Sequence, residues 1–307
     1  MKPLSLVIIT YNRPHDALDL ARNIGGLEGL DELVEEVVIV NNRSSADYGR
    51  VQEFIAAHPA IPFRYVMAPE NLGVSGGRNF AVTLSRAPYL VFLDDDALFR
   101  NSDALKYIVP VFEGEFSDAA TRPIGIVAFK IYYAGTLQLQ QNAFPHKQFA
   151  ERQDWPHFDT AYFSGAAHAI RRTVFDQVGD YPASFFYGME EYDLSYRALD
   201  AGYSIRYDNH VVILHKESPA GRLPPREKLR GMWVNKSKVA WAYLPRRFFF
   251  STAFLWSLEY LKKSGWDLMG CFKGWAEIFR IPGKWRRRPI GPAAMDYLRR
   301  VKARLSY

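Results

Sequence analysis

Asp94, Asp95 and Asp96 stand together at the end of the apolar run Tyr89-Leu90-Val91-Phe92-Leu93. Three adjacent carboxylates repel one another unless a cation sits among them. Hard divalent ions such as Mg²⁺ and Mn²⁺ take oxygen ligands and bridge to substrate phosphates. A metal–diphosphate site is one reading of the triplet, and a solvated acidic turn capping the next helix is the other. A second candidate lies upstream in Glu70-Asn71-Leu72-Gly73-Val74-Ser75-Gly76-Gly77-Arg78-Asn79, where three glycines fall within five residues. Such a loop turns tightly and lets backbone approach a ligand closely, and a helix over 79–85 would present its amides to an anion. The loop has neither the Gly-Lys-Ser/Thr of a Walker A motif nor the Gly-x-Gly-x-x-Gly dinucleotide fingerprint.

The elements that must position these residues are legible around them. Tyr89–Asp96 reads as a buried parallel strand, because only a strand covered on both faces tolerates continuous apolar sequence. Leu4–Thr10 reads as a first such strand, and the polar turn Thr10-Tyr11-Asn12-Arg13-Pro14 leads into a helix over 16–24 that stops at Gly25-Gly26. Glu36–Val40 is a second strand, closing in Asn41-Asn42-Arg43-Ser44-Ser45. A helix over 48–57 and a short strand at 63–66 follow. Strand–helix–strand alternation at this spacing implies parallel pairing with right-handed crossovers. The polar ends Thr10–Arg13, Asn41–Ser45 and Asp94–Asp96 then share one sheet edge, where ligands bind in open α/β sheets.

Composition bounds the class. The 307 residues suffice for one large α/β domain plus an additional element, and 48% hydrophobic content supports a full core. The single cysteine, Cys271, excludes an internal disulfide framework and suits a reducing cytoplasm. Leu4–Ile9 is too short for a convincing signal peptide. Phe248–Leu258, the longest apolar candidate, ends after eleven residues, well short of the ~20 that span a bilayer.

The net charge of +6 conceals an asymmetry. Residues 221–307 carry 20 Lys/Arg against 5 Asp/Glu, whereas residues 1–220 carry 19 against 28. Six of the seven tryptophans also fall in that basic tail. We read a division near Ser218–Pro225, with 1–220 as the catalytic part and 221–307 as a helical, basic extension. Helical spacing of apolar residues recurs over 233–244, 248–261 and 295–305, with Met295, Leu298, Val301 and Leu305 forming one stripe. Basic, tryptophan-rich amphipathic helices suit an anionic headgroup layer, so residues 226–307 are expected to meet a membrane surface. The alternative is that they pack on the catalytic part and solvate their charges. No nucleic-acid module is visible, and nucleic acid is not expected as a partner.

Thr10-Tyr11-Asn12-Arg13, Val38-Ile39-Val40-Asn41-Asn42, Glu70-Asn71-Leu72-Gly73 with Gly77-Arg78-Asn79, and Asp94-Asp95-Asp96, taken in order, resemble the family 2 glycosyltransferases of GT-A fold. Phe163-Ser164-Gly165-Ala166-Ala167-His168-Ala169-Ile170-Arg171-Arg172 is similar to that family's acceptor-side segment. Glu190-Glu191-Tyr192-Asp193-Leu194-Ser195-Tyr196-Arg197 resembles its ED-x-DL-x-x-R helix. The resemblance spans roughly residues 4–216.

It implies a Rossmann-like mixed α/β sheet sandwiched by helices, with a nucleotide-sugar half over about 1–100 and an acceptor half over about 101–220. It also implies inverting, metal-dependent transfer of a sugar from a UDP- or dTDP-linked donor to a glycan or lipid-linked acceptor at the cytoplasmic face of the membrane. On that basis Asp96 is a direct ligand of Mn²⁺ or Mg²⁺, Asp94 binds ribose or assists the metal, and His215 completes the metal shell. Glu191 is the first choice for catalytic base, with Glu190 and Asp193 as competitors. Thr10, Tyr11, Asn12, Arg13, Asn41, Asn71, Gly73, Gly77, Arg78 and Asp95 join Asp94 on the donor side, and Ser164, Gly165 and Ala166 lie on the acceptor side. Asn41 occupies the place of the family's nucleobase-binding Asp, and its amide can pair with a uracil or thymine edge. His168 and His210 are assigned structural roles. A nucleotidyltransferase would share an acidic metal site but would need a glycine-rich activation loop, and Thr10–Pro14 holds no glycine. A non-catalytic binding protein on the same fold is expected to have lost the Asp triplet or the acidic helix, and this chain has both.

Overall fold

The computed structural model describes residues 1–116, 122–220 and 224–306. The part of the expected junction that falls at Gly221–Leu223, and the terminal Tyr307, lie outside the described residues.

Among the described residues, nine strands form one mixed sheet: β1 (Leu4–Thr10), β2 (Val34–Asn41), β3 (Phe63–Met67), β4 (Tyr89–Asp94), β5 (Ala97–Phe99), β6 (Ile124–Tyr133), β7 (His157–Thr160), β8 (Ala167–Arg171) and β9 (Ser204–His215). Their order is β3-β2-β1-β4-β8-β6-β9-β5, with β7 paired to β9. The first four strands are parallel, as the alternation implies, and β8 joins β4 antiparallel. Register brings the polar strand ends together, since Thr10 pairs with Asn41 and Ile9 with Asp94.

The continuous apolar strands are explained by two cores. Leu4, Leu6 and Ile8 of β1 pack with Val91 and Leu93 on one face, while Val7 packs with Leu90 and Phe92 on the other. Alternate side chains thus serve opposite faces, and both faces are covered.

Two local expectations need correction. The glycine-rich stretch is not a loop preceding a helix at residue 79, because the helix already runs Gly73–Leu84. Only Gly73 in it has the left-handed φ, at 68°, while Gly77 lets the helix approach β1 with Ile9 Cγ2 3.2 Å from the place a Cβ would take. The last strand of the triplet region also stops at Asp94, and Asp95 and Asp96 form the turn into β5.

Beyond residue 224 the chain forms helices Pro225–Tyr243, Arg246–Ser264, Leu268–Phe279, Ile281–Lys284 and Pro292–Arg300. Their buried residues, among them Trp233, Trp241, Phe249, Tyr260, Leu298 and Val301, belong to the same core as Val7 and Phe92. Trp233 is fully buried, and its indole N–H donates to the Ala253 carbonyl at 2.9 Å. Two of the three expected amphipathic stretches therefore turn inward. Met295, Leu298 and Val301 are buried, and Tyr297 reaches β9, its hydroxyl 3.1 Å from the Ile205 amide. Exposed apolar surface is concentrated instead on the second and third of these helices, at Phe250, Phe254, Leu258, Leu268, Met269, Phe272 and Phe279. Among the described residues, no helix is long and apolar enough to cross a membrane.

Candidate active site

Beyond the carboxyl ends of β1, β2 and β4 lies a cleft of about 820 Å³. Tyr11, Arg13, Asn42, Asn71, Gly73, Arg78, Asp94, Asp95 and Asp96 line it, with His215 against Asp96. Ser164, Gly165, Ala166, Glu190, Glu191 and Tyr192 line it as well.

The acidic triplet is divided by environment. Asp94 is the open member, with its side chain 38% exposed, whereas Asp95 and Asp96 are almost fully buried. Arg13 Nη1 lies 2.9 Å from Asp95 Oδ1 and 2.9 Å from Asp96 Oδ2. Burial pushes the Asp95 carboxyl up to about 7 despite Arg13. Burial also acts on Asp96, but His215, Arg13 and the Ser218 amide outweigh it and hold that carboxyl at about 2.

His215 reaches the triplet through strand pairing: β5 follows Asp96 directly and sets Ala97 opposite His215. The imidazole Nε2 lies 3.4 Å from Asp96 Oδ1, and Nδ1 lies 3.0 Å from Gln140 Oε1. Gln140 in turn donates its amide to Glu217 Oε1 at 2.9 Å, which aims its carbonyl oxygen at the ring. Nδ1 then carries the proton, and the Nε2 lone pair is left for a metal. Asp94, Asp96 and His215 offer three ligand atoms within 4.8 Å of one another, a cluster that could hold a metal ion. Two carboxylates and an imidazole suit a borderline divalent cation. Burial lowers the His215 pKa, but the Asp96 carboxylate more than offsets this and leaves it raised.

Glu190, Glu191 and Asp193 open the helix Glu190–Asp200 but have different surroundings. Glu190 is buried and accepts from Arg78 Nη1 at 3.0 Å. Arg78 is itself only 3% exposed, and its Nη2 reaches Asp94 at 3.2 Å and the Gly165 carbonyl at 2.8 Å. It therefore ties the two halves of the site together. Asp193 does not line the cleft: it holds Arg197 at 2.6 Å and accepts from the Tyr243 hydroxyl at 2.8 Å. Glu191 alone of the three faces the cleft without a charged partner in contact, beside Gly165, where a Cβ would collide with its carboxylate. Burial, with the Glu190 charge second, pushes Glu191 up to about 8.

Several sequence-derived donor residues hold the rim and do not line the cleft. Asn41 is buried and does not line the cleft; its side-chain oxygen accepts from the Ser44 amide at 2.8 Å and its amide nitrogen donates to the Tyr65 hydroxyl at 2.6 Å. Thr10 is 2.6 Å from the Tyr48 hydroxyl, which also accepts from the Arg13 amide. Asn12, at φ 54°, clips the adjacent loop by accepting the Ser45 and Ala46 amides. Gly77 lies against β1. Asn42 is the neighbour that reaches the cleft, holding Asn71 and the Gly73 carbonyl with its amide. His168 is buried between the Ser164 carbonyl and the Tyr181 hydroxyl.

Sequence reading missed Gln140, Glu217 and the part of the cleft built by the C-terminal helices: Lys228, Met232, Lys236, Trp256, Lys263 and Arg304. None sits in a motif, and each reaches the cleft only through the long-range packing described above.

Comparison with known proteins agrees with this geometry. The model of the family described as "Glycosyl transferase family 2" matches residues 5–179. An uncharacterised protein of Haemophilus influenzae is 27% identical over 180 residues, covering 58% of this chain and 92% of the relative. O-antigen chain rhamnosyltransferase WbaN of Salmonella anatum is 26% identical over 163 residues, 50% of this chain, and the match spans 49% of that protein's length. Rhamnosyltransferase RfbN of Salmonella typhimurium is 24% identical over 239 residues, 74% of this chain and 69% of the relative. Among solved structures, mannosyltransferase PcManGT from Pyrobaculum calidifontis aligns with a TM-score of 0.61 at 18% identity, covering 98% of this chain and 80% of that one. S. aureus TarS residues 1–349 align with a TM-score of 0.58 at 14% identity, covering 92% and 81%. These likenesses carry the fold, which is GT-A, and with the family match over more than half of the sequence they identify the chain as a member of glycosyl transferase family 2 and an enzyme of glycosyl transfer.

Proposed function

We propose that the protein moves a sugar from a nucleoside diphosphate donor to an acceptor hydroxyl of a surface glycan, with inversion, using a divalent cation held by Asp94, Asp96 and His215. The observation that carries this reading is that Glu191 and the Asp94–Asp96–His215 cluster line the same cleft. Direct displacement needs both parts: stabilisation of the leaving group and a base for the attacking hydroxyl.

Arg13 neutralises the inner two carboxylates, and Arg78 fixes Asp94 against Glu190 and the Gly165 carbonyl. Asp94 is left on the open side of the triplet, where ribose or the cation can reach it. Mn²⁺ or Mg²⁺ bound there supplies neutralisation of the negative charge that develops on the diphosphate. Glu191 takes the acceptor hydroxyl proton as the oxygen attacks the anomeric carbon. It is preferred to Glu190 and Asp193 because their carboxylates are committed to Arg78 and Arg197. The donor reading draws support from relatives of the fold whose structures contain UDP, UDP-GlcNAc or GDP-mannose, and UDP- or dTDP-linked sugars remain the proposed donors. The O-antigen chain rhamnosyltransferases support a surface oligosaccharide acceptor, free or lipid-linked.

Residues 1–220 are proposed as the catalytic unit and 221–307 as a membrane-associating extension at the cytoplasmic face. Phe250, Phe254 and Leu258 recur every four residues along the exposed side of helix Arg246–Ser264, with Phe272 and Phe279 exposed on the next helix. Lys262 and Lys273 belong to the same two helices, a combination suited to an anionic headgroup layer.

Incubation of the full chain with Mn²⁺ and a panel of nucleotide sugars tests the reaction. Release of nucleoside diphosphate from at least one donor, abolished by chelation and by Asp96→Ala, is expected. Pyrophosphate release with a nucleoside triphosphate, or tight binding with no turnover of any donor, would overturn the reading.

A further inference from the structure

The cleft continues past Glu191 to an end walled by the C-terminal helices, and nothing in the donor chemistry uses this end. Lys228, Met232 and Lys236 lie one turn apart along Pro225–Tyr243 and all line it. Lys236 is the unusual member. It is 4% exposed, its ammonium has no hydrogen-bond partner among the described residues, and its Nζ lies over the Tyr192 ring, 2.8 Å from the centroid. The other face of that aromatic pair is Tyr162, stacked on Tyr192 at 4.7 Å.

Withdrawing an ammonium from water costs several kcal/mol, and a ring face returns only about 2. A bound anion would supply the missing counter-charge. Arg304 and Lys263 line the same cleft, and Lys263 holds Glu259 at 2.7 Å. Without a counter-charge, burial shifts the Lys236 amine well toward its neutral form, with Arg304 adding to the shift and Glu191 opposing it, and a bound anion would hold the amine protonated.

We infer that Lys236, with Lys228 and Arg304 beside it, forms a subsite for a phosphate or diphosphate group carried by the acceptor, close to the hydroxyl that Glu191 deprotonates. This rests on the transferase reading for the identity of the group's owner. An acceptor in which a single sugar is esterified to phosphate carries such a group within a sugar's length of its reacting end. Helix Arg246–Ser264 then connects the two functions, because Trp256 and Lys263 face the cleft while Phe250, Phe254 and Leu258 face outward.

The test is binding of inorganic phosphate to the full chain, without divalent metal and at constant ionic strength, by the wild type, Lys236→Met and Lys236→Arg. Lys236→Met should lose at least about tenfold in affinity, the value of one charge-assisted contact. Lys236→Arg should retain most of the binding, which separates loss of the charge from a folding defect. Equal phosphate affinity in the wild type and Lys236→Met overturns the subsite. Flotation with phosphatidylglycerol vesicles should be the same in both, and weaker flotation of Lys236→Met would assign the anion to a bilayer headgroup and overturn the acceptor assignment. A wild type that binds phosphate through Lys236 yet turns over no nucleotide sugar removes the transferase reading and leaves the anion site. A wild type that turns over donor with phosphate affinity independent of Lys236 removes the subsite alone.

Discussion

Glu191 and Gln140 show how single side chains are tuned by what surrounds them. Glu191 is raised to about 8 by burial and by the Glu190 charge, so at neutral pH most of it holds its proton. A base must be ionised to act, and kcat/KM should rise with pH and level off above about 8. Glu191→Gln should lower kcat by about 10²–10⁴-fold while nucleotide-sugar affinity measured by calorimetry stays near the wild-type value. Retained turnover would move the base to Glu190 or Asp193. The same shift has a stability consequence with the opposite sense. The unfolded carboxyl ionises near its ordinary value and the folded one near 8, so between those limits the native state binds more protons and stability falls as pH rises. Glu191→Gln should remove that slope in denaturant titrations run across pH. Gln140 touches no substrate but fixes the His215 ring at 3.0 Å. Gln140→Leu should raise the Mn²⁺ concentration for half-maximal activity by about 10–100-fold without changing the thermal midpoint greatly. The dipeptide context of Gln140 gives no hint of this, because the partner lies 75 residues away.

At the scale of elements, helix Gly73–Leu84 and helix Arg246–Ser264 bound the cleft in different ways. Gly73 begins the first with φ 68°, and a Cβ there would stand 2.7 Å from the Phe186 carbonyl oxygen and ring. Left-handed backbone alone costs an ordinary residue about 1–2 kcal/mol, and the steric conflict adds to it. Gly73→Ala should therefore lower the thermal midpoint and weaken nucleotide binding together, since the 186–188 segment must shift. In the sequence the glycines suggest close approach to a ligand, whereas in the fold Gly73 and Gly77 lie inside a helix and let it approach Phe186 and β1. Periodicity finds an apolar stripe without saying which neighbour covers it. On helix Arg246–Ser264 the exposed side carries Phe250, Phe254 and Leu258, and Phe250→Glu with Phe254→Glu should abolish flotation with anionic vesicles while leaving the melting transition in place. Unchanged flotation would remove the membrane role.

For the molecule as a whole, the abrupt change in charge near residue 220 suggests two separable regions, yet the described residues on either side share one core. Trp233 and Leu298 are fully buried beside residues of the sheet and the acidic helix. Leu298→Ala should cost about 2–5 kcal/mol in chemical denaturation, the range for a large core deletion. A chain ended before Pro225 would expose that core face, and it should aggregate rather than yield a soluble catalytic unit. The two acidic segments of the site, Asp94–Asp96 and Glu190–Asp193, were by contrast legible because each is a short contiguous motif at a strand or helix end.

The sequence by itself determined the parallel pairing of the strands through residue 94, the sheet edge where polar ends converge, the family resemblance, and the charge division of the chain. These follow from local pattern, since apolar periodicity and turn residues are properties of neighbours along the backbone. Tertiary structure decided which members of each motif reach the cleft. It turned Asn41 and Asp193 into structural hydrogen-bond partners, left Glu191 facing the cleft, paired β5 with β9 so that His215 met Asp96, and seated Lys236 on Tyr192. Burial and counter-charge set those roles, and both depend on residues far away in sequence that only the folded chain brings into contact.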